Sequence, residues 1–398
     1  MFLLTKMRRF SANYIFTNTG QPIRNGVVGI DDSGVVTEII DHSDGVKEYA
    51  HTEFRNGIIV PGFVNAHCHT ELSHLNGLVQ PHTGLAGFVS QIRDQRLLGK
   101  NASEDIITKA ISNLQAQGIV AVADICNTSH SFSAKRTGNL KFASLIEVLG
   151  LDDEMAMLIY EQAKQLANFS TTQLGQAAFI TPHSVYALSA KLWELVAGDF
   201  TSNSLLSVHF AESLDEAKFT NLRQGEIYKN YKRWGLQPNS APKGNPVEIL
   251  KRYLPSDVAL LLIHNTFISQ QEVEAVLAYF SNVCFVLCPS SNLFIEQAMP
   301  NVPMLNSLGC SIALGTDSLA SSATLSIFEQ MQLILSHFPQ ITFAEALKWG
   351  TLNGAEMLGL GSQLGTIEIG KSPGLNLIAP FNFAEMKPYP NSRVRALC

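Results

Sequence analysis

Charge is scarce in this 398-residue sequence: Asp, Glu, Lys and Arg make up 16% of it, with 28 basic against 34 acidic residues and a net charge of −6. With 46% hydrophobic residues, so little charge excludes an intrinsically disordered chain. Basic residues form no tract longer than the neighbourhood of Met7-Arg8-Arg9, so the electrostatic footprint of a nucleic-acid binder is missing. Cysteine is sparse. Cys68, Cys126, Cys284, Cys288, Cys310 and Cys398 include no Cys-x-x-Cys pair, and reduced thiols without a disulfide framework are expected. Long hydrophobic runs are lacking as well; the best are broken by His264, Asn265 and Pro289, short of the ~20 apolar residues that a membrane span needs. The opening MFLLTKMRRFSANYIF places its charges after a very short apolar run with no hydrophobic segment behind them, the wrong order for a secretory signal. A soluble, cytoplasmic protein with a small-molecule partner, no nucleic acid and no membrane is expected. Homo-oligomerisation stays open.

The patterns that are present change along the chain. Short β-prone runs at 13–17, 27–30 and 35–40 are separated by Gly, Asn and Asp turn signals, which predicts a small β-sheet. From Ile58 onward eight apolar runs of strand length, 58–66, 118–125, 140–149, 177–182, 205–210, 259–264, 282–288 and 311–316, alternate with longer helical patterns at 103–117, 152–168, 269–280 and 323–337. Eight such alternations predict an α/β fold, a (β/α)8 TIM-type barrel. Ser269 with Glu272 and Thr342 with Glu345 have capping-box form ahead of apolar periodicity. Runs 366–369 and 375–378 return to strand character, so the chain end is expected to rejoin the first sheet. The expected organisation is a small β-sandwich domain built from both chain ends, residues 1–57 and 361–398, around a barrel at 58–360. The polar stretch 225–245 reads as an insertion over one barrel end.

Three apolar runs end in a side chain of metal-ligand type: Leu205-Leu206-Ser207-Val208-His209, Leu260-Leu261-Leu262-Ile263-His264, and the run before Gly315-Thr316-Asp317. In such barrels catalytic residues gather at the C-terminal strand ends. The first barrel run ends Asn65-Ala66-His67-Cys68-His69, and the two-residue period of a strand points both imidazoles to one side and Cys68 away. Five ligand-type residues therefore converge on one mouth, a nitrogen and carboxylate set that suits Zn or Fe. Glu212, three residues past His209, stands where strand gives way to loop and can reach a water at that centre. Alone it would read as a solvated Glu at a helix N-terminus.

The stretches PGFVNAHCH, TPHSVY, VHFAES, LIHNT and LGTDS, in that order, resemble the amidohydrolase superfamily over residues 58–360. The resemblance implies that His67, His69, His209 and Asp317 are metal ligands, that His264 polarises the water and that Glu212 is the proton shuttle, making Glu212, His264 and Asp317 the catalytic set. Dinuclear members place a bridging carboxylated Lys at the end of strand four, where this sequence reads Ala178-Phe179-Ile180-Thr181-Pro182-His183. One divalent transition metal per chain is expected, zinc before iron. Thr181-Pro182-His183, the HxxE spacing and Pro289-Ser290-Ser291-Asn292 resemble the mononuclear aminohydrolases, nearest to the aminofutalosine and S-adenosylhomocysteine deaminases. That implies hydrolytic deamination of an amino-substituted nitrogen heterocycle, a 6-aminopurine nucleoside such as aminofutalosine, with His183, Ser290 and Asn292 meeting the substrate. Glu71 and Ser73, in Thr70-Glu71-Leu72-Ser73-His74, depart from the nucleoside deaminases, as does Ser318 after Asp317. Both are expected near the mouth, Glu71 either on an amine or sugar hydroxyls or paired with Arg93 or Arg96. The rivals are an amidase or dechlorinating hydrolase using the same metal site, and a catalytically silent barrel acting as a binding or assembly protein. Silent relatives lose ligands, whereas all five positions are present here.

One motif is a decoy. Residues 365–372, GTIEIGKS, fit the phosphate-loop pattern at every position, but that loop needs a helix after it, and Pro373-Gly374 forbids one. A strand and turn of the small domain is expected instead, which sets aside a nucleotide hydrolase.

Overall fold

A computed structural model describes residues 7–42, 49–98, 103–136, 138–175 and 177–398. Residues 1–6, which hold the short apolar run at the start of the sequence, lie outside them. The chain divides into two compact units, one of residues 1–65, 113–121 and 326–398 and the other of 66–112 and 122–325.

The first unit holds a seven-stranded sheet drawn from both chain ends. Its order is Lys387–Ala396, Leu375–Asn382, Thr52–Pro61, Arg8–Ile15, Val27–Ile30 and Val36–Ile40, with Ile23–Arg24 paired to Arg8–Ile15. Alternate residues of these strands share one face. Phe10, Ala12, Val28, Ile30, Ile59 and Leu375 are buried together in one cluster. The chain end joins the first sheet through Leu375 opposite Pro61 and Leu377 opposite Ile59, as the run 375–378 suggested.

The run 366–369 is different: it is a turn, not a strand. Gly365 and Gly370, at φ of 87° and 89°, bend the backbone where only glycine is comfortable, and this overrides the β-propensity of Thr366 and Ile367. The Lys371 ammonium ties the turn to Gly361 O at 2.9 Å and Glu368 at 2.7 Å. The amides of Ile367, Gly370 and Ser372 donate to the carbonyls of Thr17, Val36 and Gln363. Amides so engaged leave no cradle for a phosphate.

All eight expected barrel runs form strands. Leu205–Phe210, Ala259–His264, Val283–Leu287 and Ile312–Leu314 make one parallel sheet in that order; Phe63–Cys68, Ile119–Cys126, Lys141–Val148 and Ala178–Pro182 make another. Parallel bridges between Ser184 and His209 and between Cys68 and Asp317 join the two sheets. The eight strands thus close as a (β/α)8 barrel of TIM type. Every residue of Leu205–Phe210 is buried, as parallel strands covered on both faces require. Helices Glu104–Ala116, Ala156–Leu174, Gln270–Leu277 and Ile327–His337 occupy the helical patterns, and both expected capping boxes are formed. Within 225–245, helix Glu226–Arg233 leans on helix Gly84–Leu97, with Asn230 donating to Ala86 O at 3.0 Å and the Arg93 guanidinium over the Trp234 ring. The six cysteines are free thiols. Among the described residues no helix is long and apolar enough to cross a membrane.

Candidate active site

The two seams that close the barrel are made by the residues singled out in the sequence. At one, the amides of Thr316 and Asp317 donate to the His67 carbonyl at 3.0 and 3.1 Å. At the other, the His209 amide donates to His183 O at 2.9 Å. Gly315 permits the first approach, since a Cβ there would meet the His67 Cβ at 2.8 Å. His264 and Asp317 then leave their strands with φ of 75° and 57°. Non-glycine residues in that region cost about 1–3 kcal/mol each, a strain typical of functional sites.

These turns bring the side chains together. His67 and His69 place their Nε2 atoms 3.1 Å apart, and Asp317 Oδ1 lies 3.5 Å from His69 Nε2 and 4.0 Å from His67 Nε2. His209 completes a cluster in which the ligand atoms of His67, His69 and His209 lie within 4.8 Å of one another. His209 Nδ1 donates to His183 O at 2.9 Å, which leaves the Nε2 lone pair for the cluster. Two imidazole nitrogens at 3.1 Å require either a shared proton or a cation that satisfies both lone pairs. Burial and the neighbouring imidazoles hold His67 and His209 well below the ordinary imidazole range, so both are neutral, the state in which imidazole binds metal. Burial alone would raise Asp317, but His69, His264, Ser291 and Ser321 outweigh it and keep the carboxylate ionised. Ser291 and Ser321 each donate to its Oδ2 at 2.6 Å, turning Oδ1 toward the imidazoles. Three imidazoles and one anchored carboxylate suit a borderline divalent cation.

Glu212 stands beside this cluster, its Oε1 3.5 Å from His264 Nε2. The capping carboxylate of Glu216 accepts from the amides of Ala211, Glu212 and Ser213 at 3.0, 2.6 and 3.0 Å, and so fixes the bend that aims Glu212. Burial and then the negative charge of Asp317 push the Glu212 carboxyl well above its usual range. His264 Nδ1 donates to Asn292 Oδ1 at 2.9 Å.

A cavity of about 130 Å³ opens onto this centre, lined on its inner side by His69, His183, His209, Glu212, His264 and Asp317. Of the five expected substrate contacts, His183 lines it and the others do not. Asn292 is buried behind His264. Ser73 donates to Thr70 O at 2.7 Å inside the turn Thr70–Leu75. That turn winds Glu71 away from the mouth, where its Oε2 accepts from the amides of Asn127 and Thr128 at 3.1 and 3.2 Å. Neither suggested arginine pairs with Glu71: Arg93 covers Trp234, and Arg96 donates to Asn127 Oδ1. Ser290 lies on helix Pro289–Glu296 and is not among the lining residues. Ser318, by contrast, does line the cavity.

Glu147 had not been singled out. It faces the cavity, accepting from His183 Nδ1 at 2.7 Å and Asn127 Nδ2 at 3.0 Å. Burial would raise it, but His183 and His209 outweigh that and hold it well below the usual carboxylate range. The signal was an acidic residue within the apolar run 140–149. Glu147, His183 and His209 form a second cluster of metal-ligand type. His209 Nδ1–H is already committed to the His183 carbonyl, so its free lone pair serves the first.

The Amidohydrolase family matches residues 58–394. The chain is 26% identical over 374 residues to an adenosine deaminase of Helicobacter pylori, covering 89% of this chain and 88% of the relative. It is 26% identical over 347 residues to an aminodeoxyfutalosine deaminase of Nitratiruptor, covering 84% and 82%. The crystal structure of Helicobacter pylori aminofutalosine deaminase with methylthio-coformycin superposes with a TM-score of 0.80 at 22% identity, covering 94% of this chain and 92% of that one. A zinc-bound adenosine deaminase of Xanthomonas campestris gives 0.71 at 20% identity, covering 93% and 84%. The fold is that of an amidohydrolase barrel, and the strand-end cluster is a set of residues that could hold a divalent metal. The chain belongs to the amidohydrolase family and is a hydrolase acting on C–N bonds.

Proposed function

We propose that this protein removes the exocyclic amino group of an adenine-type nucleoside by hydrolysis, using one divalent transition metal, zinc or iron, held by His67, His69, His209 and Asp317. The observation that carries the reading is a buried, protonatable Glu212 next to the clustered imidazoles of His67, His69 and His209 and the Asp317 carboxylate. The deaminase names of the similar proteins support the same reaction class. A divalent cation held by these residues would supply Lewis acidity, making a water a nucleophile near neutral pH.

The chain's own groups do the rest. His183, on the cavity wall, holds the ring, its Nδ1 fixed by Glu147 so that Nε2 faces inward. His264, with Nδ1 donating to Asn292, keeps an Nε2 lone pair for the attacking water's proton. Asp317 Oδ1, with Oδ2 fixed by two serines, orients the same water. Glu212, kept protonated by burial, donates its proton to the ring nitrogen as the oxygen adds to the amino-bearing carbon, then takes the proton of the added hydroxyl as the carbonyl forms and delivers it to the departing amine; the proton held by His264 returns to Glu212 as ammonia leaves. The balance is water in and ammonia out. General acid–base help of this kind contributes ~10²–10⁴-fold.

The test is ammonia release from aminofutalosine, methylthioadenosine, S-adenosylhomocysteine, adenosine, guanine, cytosine and a chlorotriazine, ranked by kcat/KM. An adenine nucleoside standing more than about tenfold above the rest, roughly 1.4 kcal/mol, is expected. A win for guanine, cytosine or the triazine contradicts the nucleoside assignment. No ammonia from any of them replaces deamination by an amidase reading.

A further inference from the structure

The proposed chemistry makes no use of one fully buried ion pair: Lys135 Nζ lies 2.6 Å from Asp124 Oδ2, with both side chains 0% exposed. Lys135 ends the short helix Phe132–Lys135, and its ammonium also donates to Cys126 Sγ and Ser144 Oγ, each at 3.1 Å, over the rings of Phe132 and Phe142. Burial would lower Lys135, but Asp124 and Cys126 outweigh it and hold the ammonium above its ordinary value, so it stays charged. Such a pair adds little to stability, because desolvating two charges offsets their attraction and apolar side chains of similar volume serve as well. Its place in the barrel is explained instead by what it holds.

That is the peptide after His69. Asp124 Oδ1 accepts from the Thr70 amide at 2.9 Å, and Oδ2 accepts from the Thr70 hydroxyl at 2.8 Å. The Thr70 amide is the far half of the peptide bond leaving His69, so anchoring it fixes the His69 ψ of 82° at the step from strand Phe63–Cys68 into the 3-10 turn Thr70–Leu75. The first amides of such a turn have no partner within it, and a side chain just before it ordinarily satisfies one. His69 occupies that position, makes no such bond and gives its imidazole to the cluster with His67 and Asp317. Asp124, on the neighbouring strand Ile119–Cys126, supplies the missing partner. With Lys135 and two Thr70 donors on its oxygens, the carboxylate has a single orientation.

We propose that Asp124 and Lys135 are positioning residues of the metal centre: the ammonium fixes the carboxylate, the carboxylate fixes the His69–Thr70 peptide, and His69 is thereby aimed at a cation shared with His67, His209 and Asp317. The inference rests on the metal reading of that cluster and adds a support for His69 like the one that Ser291 and Ser321 give Asp317. The pair touches neither the cation nor the substrate and acts through Thr70 alone.

Two measurements on the full chain test it together: zinc affinity by competition with a chromogenic chelator, and urea unfolding of the metal-free form. Asp124→Leu/Lys135→Met replaces both charges by apolar side chains, so the metal-free fold should unfold close to wild type. Zinc should nevertheless bind about 10–100-fold more weakly, the usual cost of losing a group that orients a ligand imidazole. A pair that served stability alone would leave the affinity unmoved once the fold is recovered. Thr70→Val keeps the amide bond to Asp124 and loses the hydroxyl bond, and should weaken zinc by at least about threefold, whereas Thr70→Ser keeps both and should stay within about twofold of wild type. Wild-type zinc affinity in the folded double variant overturns the proposal, as do equal affinities in Thr70→Val and Thr70→Ser. If the double variant does not fold without metal, the two Thr70 variants decide on the same terms. Wild type that binds no zinc contradicts the metal reading itself and removes the proposal with it, an outcome distinct from wild type and variants binding alike.

Discussion

Asn292 accepts the Nδ1 proton of His264 at 2.9 Å and donates back to the His264 carbonyl at 3.4 Å. The pair fixes the tautomer of the imidazole that faces Glu212. Asn292→Ala frees the ring, and kcat should fall about 10–100-fold, the usual cost of losing a partner that orients a site imidazole. KM and metal content should hold. Steady-state kinetics with elemental analysis separate the outcomes: a raised KM at constant kcat would make Asn292 the substrate contact that its sequence motif suggested.

Ser291 and Ser321 both donate to Asp317 Oδ2 at 2.6 Å, and their hydroxyl oxygens lie 2.9 Å apart. Hydrogen bonds to a charged group are worth about 1.5–3 kcal/mol each. The double variant Ser291→Ala/Ser321→Ala should therefore bind zinc more weakly by at least about tenfold in competition with a chromogenic chelator. Unchanged affinity would show that Oδ1 needs no such anchoring.

Much of this site was legible because of where polar residues interrupt apolar runs. His209, His264 and Asp317 each close a strand-length hydrophobic stretch, and the barrel converts that shared position into convergence. Glu147 was hidden one residue inside its strand, before Val148, where an acid in an apolar run has no local partner to reveal its direction. Glu71 and Ser73 were placed at the mouth by proximity to His69, but a tight 3-10 turn, not an extended strand, carries them away. The run 366–369 departs for a related reason: two glycines at positive φ outweigh the three β-prone side chains of Thr366, Ile367 and Ile369. What sequence spacing conveys is period, and turns between periods decide which way a side chain faces.

Asp124 and Lys135 illustrate the same limit, since only tertiary packing brings them to 2.6 Å with both side chains fully buried. Asp124 also accepts from the amide and hydroxyl of Thr70 at 2.9 and 2.8 Å, holding the chain next to His69. Lys135→Met leaves that carboxylate unpaired and should cost about 3–5 kcal/mol in denaturant unfolding. The double variant Asp124→Leu/Lys135→Met should recover most of the stability lost. A single variant as stable as wild type would mean that the pair contributes nothing to the fold's stability.

Burial pushes the Glu71 carboxyl up to about 7 from an ordinary 4.5. The folded chain therefore keeps this proton between those two pH values while the unfolded chain has released it. Stability should fall as pH rises through that window, with a slope approaching about 1.4 kcal/mol per pH unit from this group, and level off above it. Glu71→Gln should flatten that segment of the stability profile measured by urea unfolding. An unaltered slope would show that the carboxyl titrates in its ordinary range.

The central claim, that Glu212 moves protons beside a metal held by His67, His69, His209 and Asp317, is tested most directly by Glu212→Gln. Metal content and ammonia release should be measured on the same preparation as wild type, with an adenine nucleoside as substrate. The variant, like wild type, should hold about one metal ion per chain, because a three-imidazole, one-carboxylate set without a bridging lysine provides one site. Its rate should fall by ~10²–10⁴-fold, since the amide keeps the shape of the carboxyl but cannot pass on a proton. Near-wild-type ammonia release from metal-loaded Glu212→Gln, or loss of the metal itself, would contradict the account.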